Sequence, residues 1–434
     1  STMKSRRIVL NTFGSFGDVH PYIAVALELK ARGHRPLIAT SEIYREKLDA
    51  LALELHPVRP DVPSYKEPDE VSRMLERMMD ARTGTEEVIK TFLVPHLRDI
   101  YDDLSAATRD ADLLVSHPLS MPAPLVVEKT GIRWVSSVLA PASMLSVYDP
   151  PVPPQLPALH GLMKLHPAVG RVVMRLGRRW SASLWDAVNN LRAEVGLPPG
   201  GHPLFEAQHS PTLVLALFSR VLGEPQPDWP PHTRITGFPF YDQRDLEGDT
   251  PGLSPELSEF LDAGDAPIIF TLGSSAIWVA KDFYRESIAA ARALGQRALL
   301  LIGHERNRPT EPLPEGMAAF EYAPYGEVLP RASVVVHQGG VGTTGQGLRS
   351  GRPALVVPFS HDQFDNGARV SRLGCGRTLP RTRYNAATAT RELRAILNDE
   401  SYETNADAIG RQVQVEDGAR AACDAIEEVL TKGN

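Results

Sequence analysis

Short aliphatic runs alternate with longer amphipathic stretches along this chain, and the alternation occurs twice. In the first half, Arg7 to Thr12, Arg35 to Thr40, Leu113 to Ser116, Trp134 to Val138 and Thr212 to Leu217 read as short strands buried on both faces. Between them lie helical patterns such as Tyr22 to Ala31, with Ile23, Ala26 and Leu27 on one face. The second half repeats the scheme with Pro267 to Leu272, Arg297 to Ile302, Ala332 to Val336 and Ala354 to Val357. Strands separated by helices predict right-handed βαβ units and parallel sheets, an α/β fold. A proline-rich stretch, Gly223 to Asp245, stops helices and stiffens the chain between the halves. We therefore expect domains at 1–235 and 236–410, with the helical pattern Asn405 to Val429 supplying a terminal helix in 411–434.

Composition narrows the function classes. The 434 residues suffice for two cored domains. A net charge of -7 argues against a nucleic-acid partner, which would need clustered Lys and Arg. Arg171, Arg175, Arg178 and Arg179 share one helical face, a basic amphipathic pattern that suits either a solvated surface or an anionic membrane. The solvated surface is the expectation, with no membrane contact. No apolar run reaches the ~20 residues of a membrane helix, the run after Lys4, Arg6 and Arg7 is too short for a signal peptide, and a cytoplasmic location is expected. Cys375 and Cys423 are too few and too far apart for a disulfide framework or a zinc site.

The candidate chemistry gathers in His337 to Val370, HQGGVGTTGQGLRSGRPALVVPFSHDQFDNGARV. A strand is followed by a glycine turn and then a helix. Gly339, Gly340 and Gly342 let backbone amides approach an anion, and Thr343 and Thr344 add hydroxyls at a positive helix end. His337 can donate to the same anion. The next strand leads to Asp362 and Gln363, a carboxylate and an amide suited to sugar hydroxyls at the carboxyl edge of a sheet.

This segment resembles the donor signature of the inverting family-one glycosyltransferases, in particular the bacterial antibiotic, macrolide and sterol branch. That branch has H-x-G-G-x-G-T-T, then L-R-x-G-x-P, then D-Q, all present here. The resemblance implies a GT-B architecture: two Rossmann-like domains facing across a cleft, the first for the acceptor and the second for a nucleoside diphosphate sugar, with the last helix returning to the first domain. It implies that His337 and the cradle hold the pyrophosphate, that Asp362 and Gln363 hold the sugar, and that Gly273 and Ser274, after the first strand of the second half, reach the phosphates. Tyr322 lies where relatives stack the nucleobase. Plant-type members carry a ribose-binding glutamate at the position of Gly345, so the donor nucleotide stays open, with UDP favoured over dTDP and Gln346 a substitute one residue on.

Transfer with inversion needs a base on the acceptor side. The loop Gly14 to Pro21 resembles the first-domain motif G-x-x-G-D-x-x-P and places Asp18 where plant-type members have a catalytic histidine. Their partner aspartate corresponds to His117, so the two residue types are exchanged here. Asp18, His20 and His117 are the catalytic candidates. Asp18 can instead cap the helix near Pro21, and His117 can be a packed strand-end residue.

Acceptor contacts are sought in the first domain's irregular segments, at Met78, Phe92, Met144 and Tyr148, whose character suits a small hydrophobic or phenolic molecule. No metal and no cofactor beyond the donor co-substrate is expected; Asp110-Ala111-Asp112 reads as a surface loop. Rival readings are a UDP-sugar 2-epimerase of the same architecture and a non-catalytic nucleotide-sugar-binding helper. A dehydrogenase lacks support because no G-x-G-x-x-G fingerprint follows a strand.

Overall fold

The computed structural model describes residues 3–242 and 252–432, so residues 243–245 of the proline-rich stretch lie outside the described residues. The first sheet contains β1 (Arg7–Asn11), β2 (Arg35–Thr40), β3 (Glu54–Pro57), β4 (Leu113–Ser116), β5 (Arg133–Val138), β6 (Val214–Ala216) and β7 (Thr233–Ile235), in the order β3-β2-β1-β4-β5-β6-β7. The second contains β8 (Ile268–Thr271), β9 (Ala298–Leu301), β10 (Met317–Phe320), β11 (Val334–His337), β12 (Ala354–Val356) and β13 (Gly376–Thr378), in the order β10-β9-β8-β11-β12-β13. Every described pairing is parallel. The two sheets share the doubly wound order, whose connections reverse direction beside β1 and beside β8.

Burial explains why the central strands are readable. Ile8, Val9 and Leu10 in β1, and Val334, Val335 and Val336 in β11, are fully buried, because helices cover both faces. Each such side chain contributes roughly 1.5–3 kcal/mol of burial. Four strands were not anticipated: β3, β7, β10 and β13. Each is a sheet edge, and their sequences ELHP, TRI, MAAF and GRT are short, largely polar or only partly buried.

The terminal helical pattern divides into Glu400–Gln414 and Gly418–Thr431, with Asp417 capping the second by accepting from Arg420 N–H. Gly418 lies against the Gly237 and Phe238 backbone, where an added Cβ would come within 2.4 Å. Ala422, Cys423 and Ile426 then join the core built on the first-sheet helix Phe16–Ala31. Arg32 at that helix's end pairs with Asp424 and Glu427. The last helix is thus held on the first sheet's layer.

Candidate active site

The four strands that flank the two reversals carry the site. Asp18 follows β1, His117 follows β4, Gly273 and Ser274 follow β8, and His337 ends β11. Loops leaving these strand ends diverge and open the crevice in which doubly wound sheets bind ligands.

On the first-domain side, the helix starts at Phe16 with Ser15 as N-cap, so Asp18 lies inside the first turn rather than capping it. Its Oδ1 is 3.3 Å from His117 Nε2. The Leu119 N–H donates to His117 Nδ1 at 3.0 Å. Nδ1 is therefore an acceptor, Nε2 carries the proton, and His117 donates to the carboxylate. The His117 side chain is 3% exposed and that of Asp18 37%, which puts the histidine behind and the carboxylate in front. Gly14, at φ +101°, makes room for this: an added Cβ would sit 2.4 Å from Asp18 Oδ2.

His20 faces elsewhere. Two residues along a helix is a rotation of roughly 200°, and His20 Nε2 lies 2.9 Å from Lys47 Nζ, with the rings of Phe16 and Tyr241 alongside. Burial, with the Lys47 charge, pushes its pKa well below the usual histidine value, and burial pushes Lys47 down to about 7. The structure does not bring His20 to the Asp18–His117 pair.

Across the cleft, His337 is buried and its Nδ1 accepts from Gly339 N–H at 3.0 Å. Burial pushes its pKa down to about 4, so the ring is neutral with its proton on Nε2. Gly339 turns at φ +90°, where an added Cβ would lie 2.7 Å from Val356 Cγ1 and 2.9 Å from the Gln363 carbonyl oxygen. The Val341–Arg349 helix follows, capped by Gly340, with no atom near the Cβ position of Gly342. Its first-turn amides have no intrahelical acceptor and suit a diphosphate. The Thr343 hydroxyl accepts from Gln338 Nε2 at 3.3 Å, whereas the buried Thr344 Oγ1 and Gln338 Oε1 have no protein partner. Gly273, at φ +70°, could carry a Cβ only by displacing the Gln338 amide. The Ser274 hydroxyl donates to Ser15 Oγ at 3.0 Å and accepts from Gly17 N–H at 3.2 Å, tying the second-sheet loop to the Asp18 loop.

Asp362 immediately precedes the Gln363–Arg372 helix and makes no side-chain capping bond to it. Its carboxyl is pushed up to about 7 by burial, by the Asp18 charge across the cleft and by Asp365. Asn366, one turn on, donates to Asp362 Oδ2 at 3.2 Å and to the Gly339 carbonyl at 2.8 Å, joining the carboxylate to the glycine turn. The Gln363 side-chain Oε1 accepts from Phe359 and Ser360 N–H, so of its amide group only the nitrogen remains for a ligand. His361, held at φ +55°, reaches Thr85 Oγ1 of the first domain at 3.2 Å. Asn366 lies four residues after Asp362, a helical spacing visible in sequence; the His361 contact spans 276 residues and has no local signal.

The remaining candidates are scattered. Tyr322 is 45% exposed, while Tyr325 is tied to Thr271 Oγ1. A side chain at Gly345 would meet the Phe238 ring at 2.9 Å, and Gln346 bonds to Asp242 with Arg349. The first acceptor segment is helical rather than irregular, with Met78 ending Pro68–Met78 and Phe92 in the π-helical turn Val88–Leu93. Met78 and Phe92 are half-buried. Met144 belongs to a buried core cluster with Phe218 and Leu222, and Tyr148 is exposed beside Arg171. Asp112 accepts from the Arg7 N–H where β1 begins, at the sheet edge opposite the cleft.

Glycines 14 and 339 separate the two halves of the site experimentally. Gly14→Ala is expected to lower kcat while leaving donor Kd within about twofold, because only the Asp18 carboxylate is displaced. Gly339→Ala is expected to destabilise by about 1–3 kcal/mol and to weaken donor binding. Denaturant melts and donor titration measure both, and equal effects on donor Kd would contradict the division.

Residues 8–142 match the glycosyltransferase family 28 N-terminal domain, and residues 286–422 match the erythromycin biosynthesis protein CIII-like C-terminal domain. The chain is 30% identical over 432 residues to the O-mycaminosyltylonolide 6-deoxyallosyltransferase of Streptomyces fradiae, covering 97% of each. It is 28% identical over 441 residues to the sterol 3-beta-glucosyltransferase of Neosartorya fischeri, spanning 29% of that longer protein. The kitacinnamycin glycotransferase structure shares the fold at a TM-score of 0.71, with 22% identity and coverage of 99% and 100%. The Streptomyces sp. SF2575 glycosyltransferase SsfS6, crystallised with thymidine diphosphate, does so at 0.61, with 18% identity and coverage of 98% and 99%. With both domain types in place and a relative matched end to end, the chain belongs to the two-domain GT-B glycosyltransferases of the macrolide and sterol family.

Proposed function

We propose that this glycosyltransferase moves a hexose or 6-deoxyhexose from a nucleoside diphosphate to a hydroxyl of a small hydrophobic acceptor, inverting the anomeric carbon. One observation carries the reading: the Asp18 carboxylate, backed by His117, faces Asp362 and the Val341–Arg349 helix start from the opposite sheet. A base and a leaving-group site thus lie on opposite sides of one crevice, as in-line displacement requires.

In the proposed step, the acceptor oxygen attacks the anomeric carbon as the bond to the diphosphate breaks, and Asp18 takes the acceptor proton. A carboxylate suffices because charge at the sugar is oxocarbenium-like when the proton leaves, as in inverting glycosidases. The neutral His337 donates from Nε2, and first-turn amides stabilise the diphosphate charge. Turnover in this scheme needs no divalent cation and persists in EDTA.

The donor is a UDP-sugar or a dTDP-sugar. The S. fradiae relative is named for a 6-deoxyallosyl transfer and the N. fischeri relative for a glucosyl transfer. A mass-spectrometric screen of both donor types against phenolic, steroidal and macrolide aglycones tests the proposal. A product heavier by one dehydrated hexose or deoxyhexose supports it, and a donor isomerised without acceptor would indicate an epimerase instead.

A further inference from the structure

The helix Pro167–Trp180 presents an outward face unlike the rest of the surface. Among the described residues, seven of the nine exposed large hydrophobic side chains lie from Tyr148 to Trp180. On the helix, Val172, Leu176 and Trp180 are 53%, 58% and 52% exposed. At 100° per residue they share a strip roughly 80° wide with the half-buried Val169. Leu165, in the turn just before the helix, is 74% exposed. The solvated polar surface expected from the arginine pattern is therefore only half of the picture.

The arginines form the adjoining strip. Arg178 is committed to the protein, through Glu206 and the rings of Trp185 and Phe205. Arg171 donates to the Tyr148 hydroxyl. Arg175 and Arg179 are exposed, with no ion pair among the described residues. No acidic residue occurs between Pro167 and Trp180, although the chain as a whole carries a net charge of -7.

We propose that this face docks peripherally on an anionic lipid bilayer. An apolar strip bordered by guanidinium groups, with a tryptophan at its end, matches the apolar and negatively charged layers of such a surface. A second copy meeting this helix symmetrically would oppose arginine to arginine. The bilayer would lie beside the loop carrying Tyr148, whose next residue, Asp149, pairs with Arg369 in the helix Gln363–Arg372 that follows Asp362. Docking itself requires neither donor nor transfer, so it is tested apart from the proposed reaction.

The test is co-sedimentation of the full chain with vesicles of phosphatidylcholine, with and without phosphatidylglycerol. Wild type is expected to pellet with the anionic vesicles, to be released by high salt, and to pellet weakly with neutral ones. The double variant Arg175→Glu/Arg179→Glu should lose roughly tenfold or more in vesicle affinity, and Leu176→Asp should lose binding, both with unchanged melting temperature. Equal pelleting with both vesicle types, or unaltered binding by both variants, overturns the proposal. So does light scattering that shows a dimer dissociated by Leu176→Asp when no vesicle binding occurs.

Discussion

Asp18→Asn is expected to lower kcat by roughly 10²–10⁴-fold, the range for loss of a general base, and to leave donor Kd nearly unchanged. Asparagine keeps the size of the side chain and can still accept from His117 Nε2, so the 3.3 Å contact survives while basicity is lost. His117→Ala should fall between wild type and Asp18→Asn. The histidine is 4% exposed with Nδ1 engaged by Leu119, so in the proposed scheme it would orient and polarise Asp18 without touching the acceptor. His20→Ala should keep kcat within severalfold of wild type, since its contacts are Lys47, Phe16 and Tyr241. Single-turnover rates with saturating donor give the ranking directly. Full activity in Asp18→Asn, or a larger loss in His20→Ala, would remove Asp18 as the base.

What could be read from sequence depended on whether a feature was local. The central strands were legible because burial on both faces leaves unbroken aliphatic runs, as in Val334 to Val336. The edge strands β3, β7, β10 and β13 were not, because an edge has one neighbour, more solvent and no such run. The glycine turn at 339–342 was legible as a tight strand-to-helix turn, since positive φ and close backbone approach at Gly339 leave few other residues possible. The direction of Asp18 was not: a capping residue and a first-turn residue differ by where the helix starts, and that start moved to Phe16. Contacts between the two sheets, such as Ser274 with Ser15 and His361 with Thr85, join residues more than 250 positions apart and leave no periodic trace.

Asp362→Asn is expected to stabilise the ligand-free protein at alkaline pH while reducing transfer severely. The Asp362 carboxyl, ordinarily at 3.8, is pushed up to about 7 by burial and by Asp18 facing it. With the folded value raised, the contribution of this group to stability is complete below about pH 4 and is lost as pH rises through about 7. A displacement of about three units corresponds to an upper limit on the order of 4 kcal/mol. Asparagine does not ionise, and the Asn366 amide can donate to its carbonyl oxygen as it does to Asp362 Oδ2. The variant should therefore melt several degrees above wild type at pH 8, with the difference closing toward pH 5. Transfer should fall by roughly tenfold or more, because a charged acceptor of sugar hydroxyl bonds contributes about 1.5–3 kcal/mol per bond. Donor binding should also release protons from wild type near pH 6.5, as hydroxyl donors favour the ionised carboxylate, and should release fewer from the variant. Calorimetry in buffers of differing ionisation enthalpy measures that release. A melting difference that stays constant from pH 5 to pH 8 would mean that Asp362 is already ionised across the cleft from Asp18, and the electrostatic coupling between the two halves of the site would then be absent.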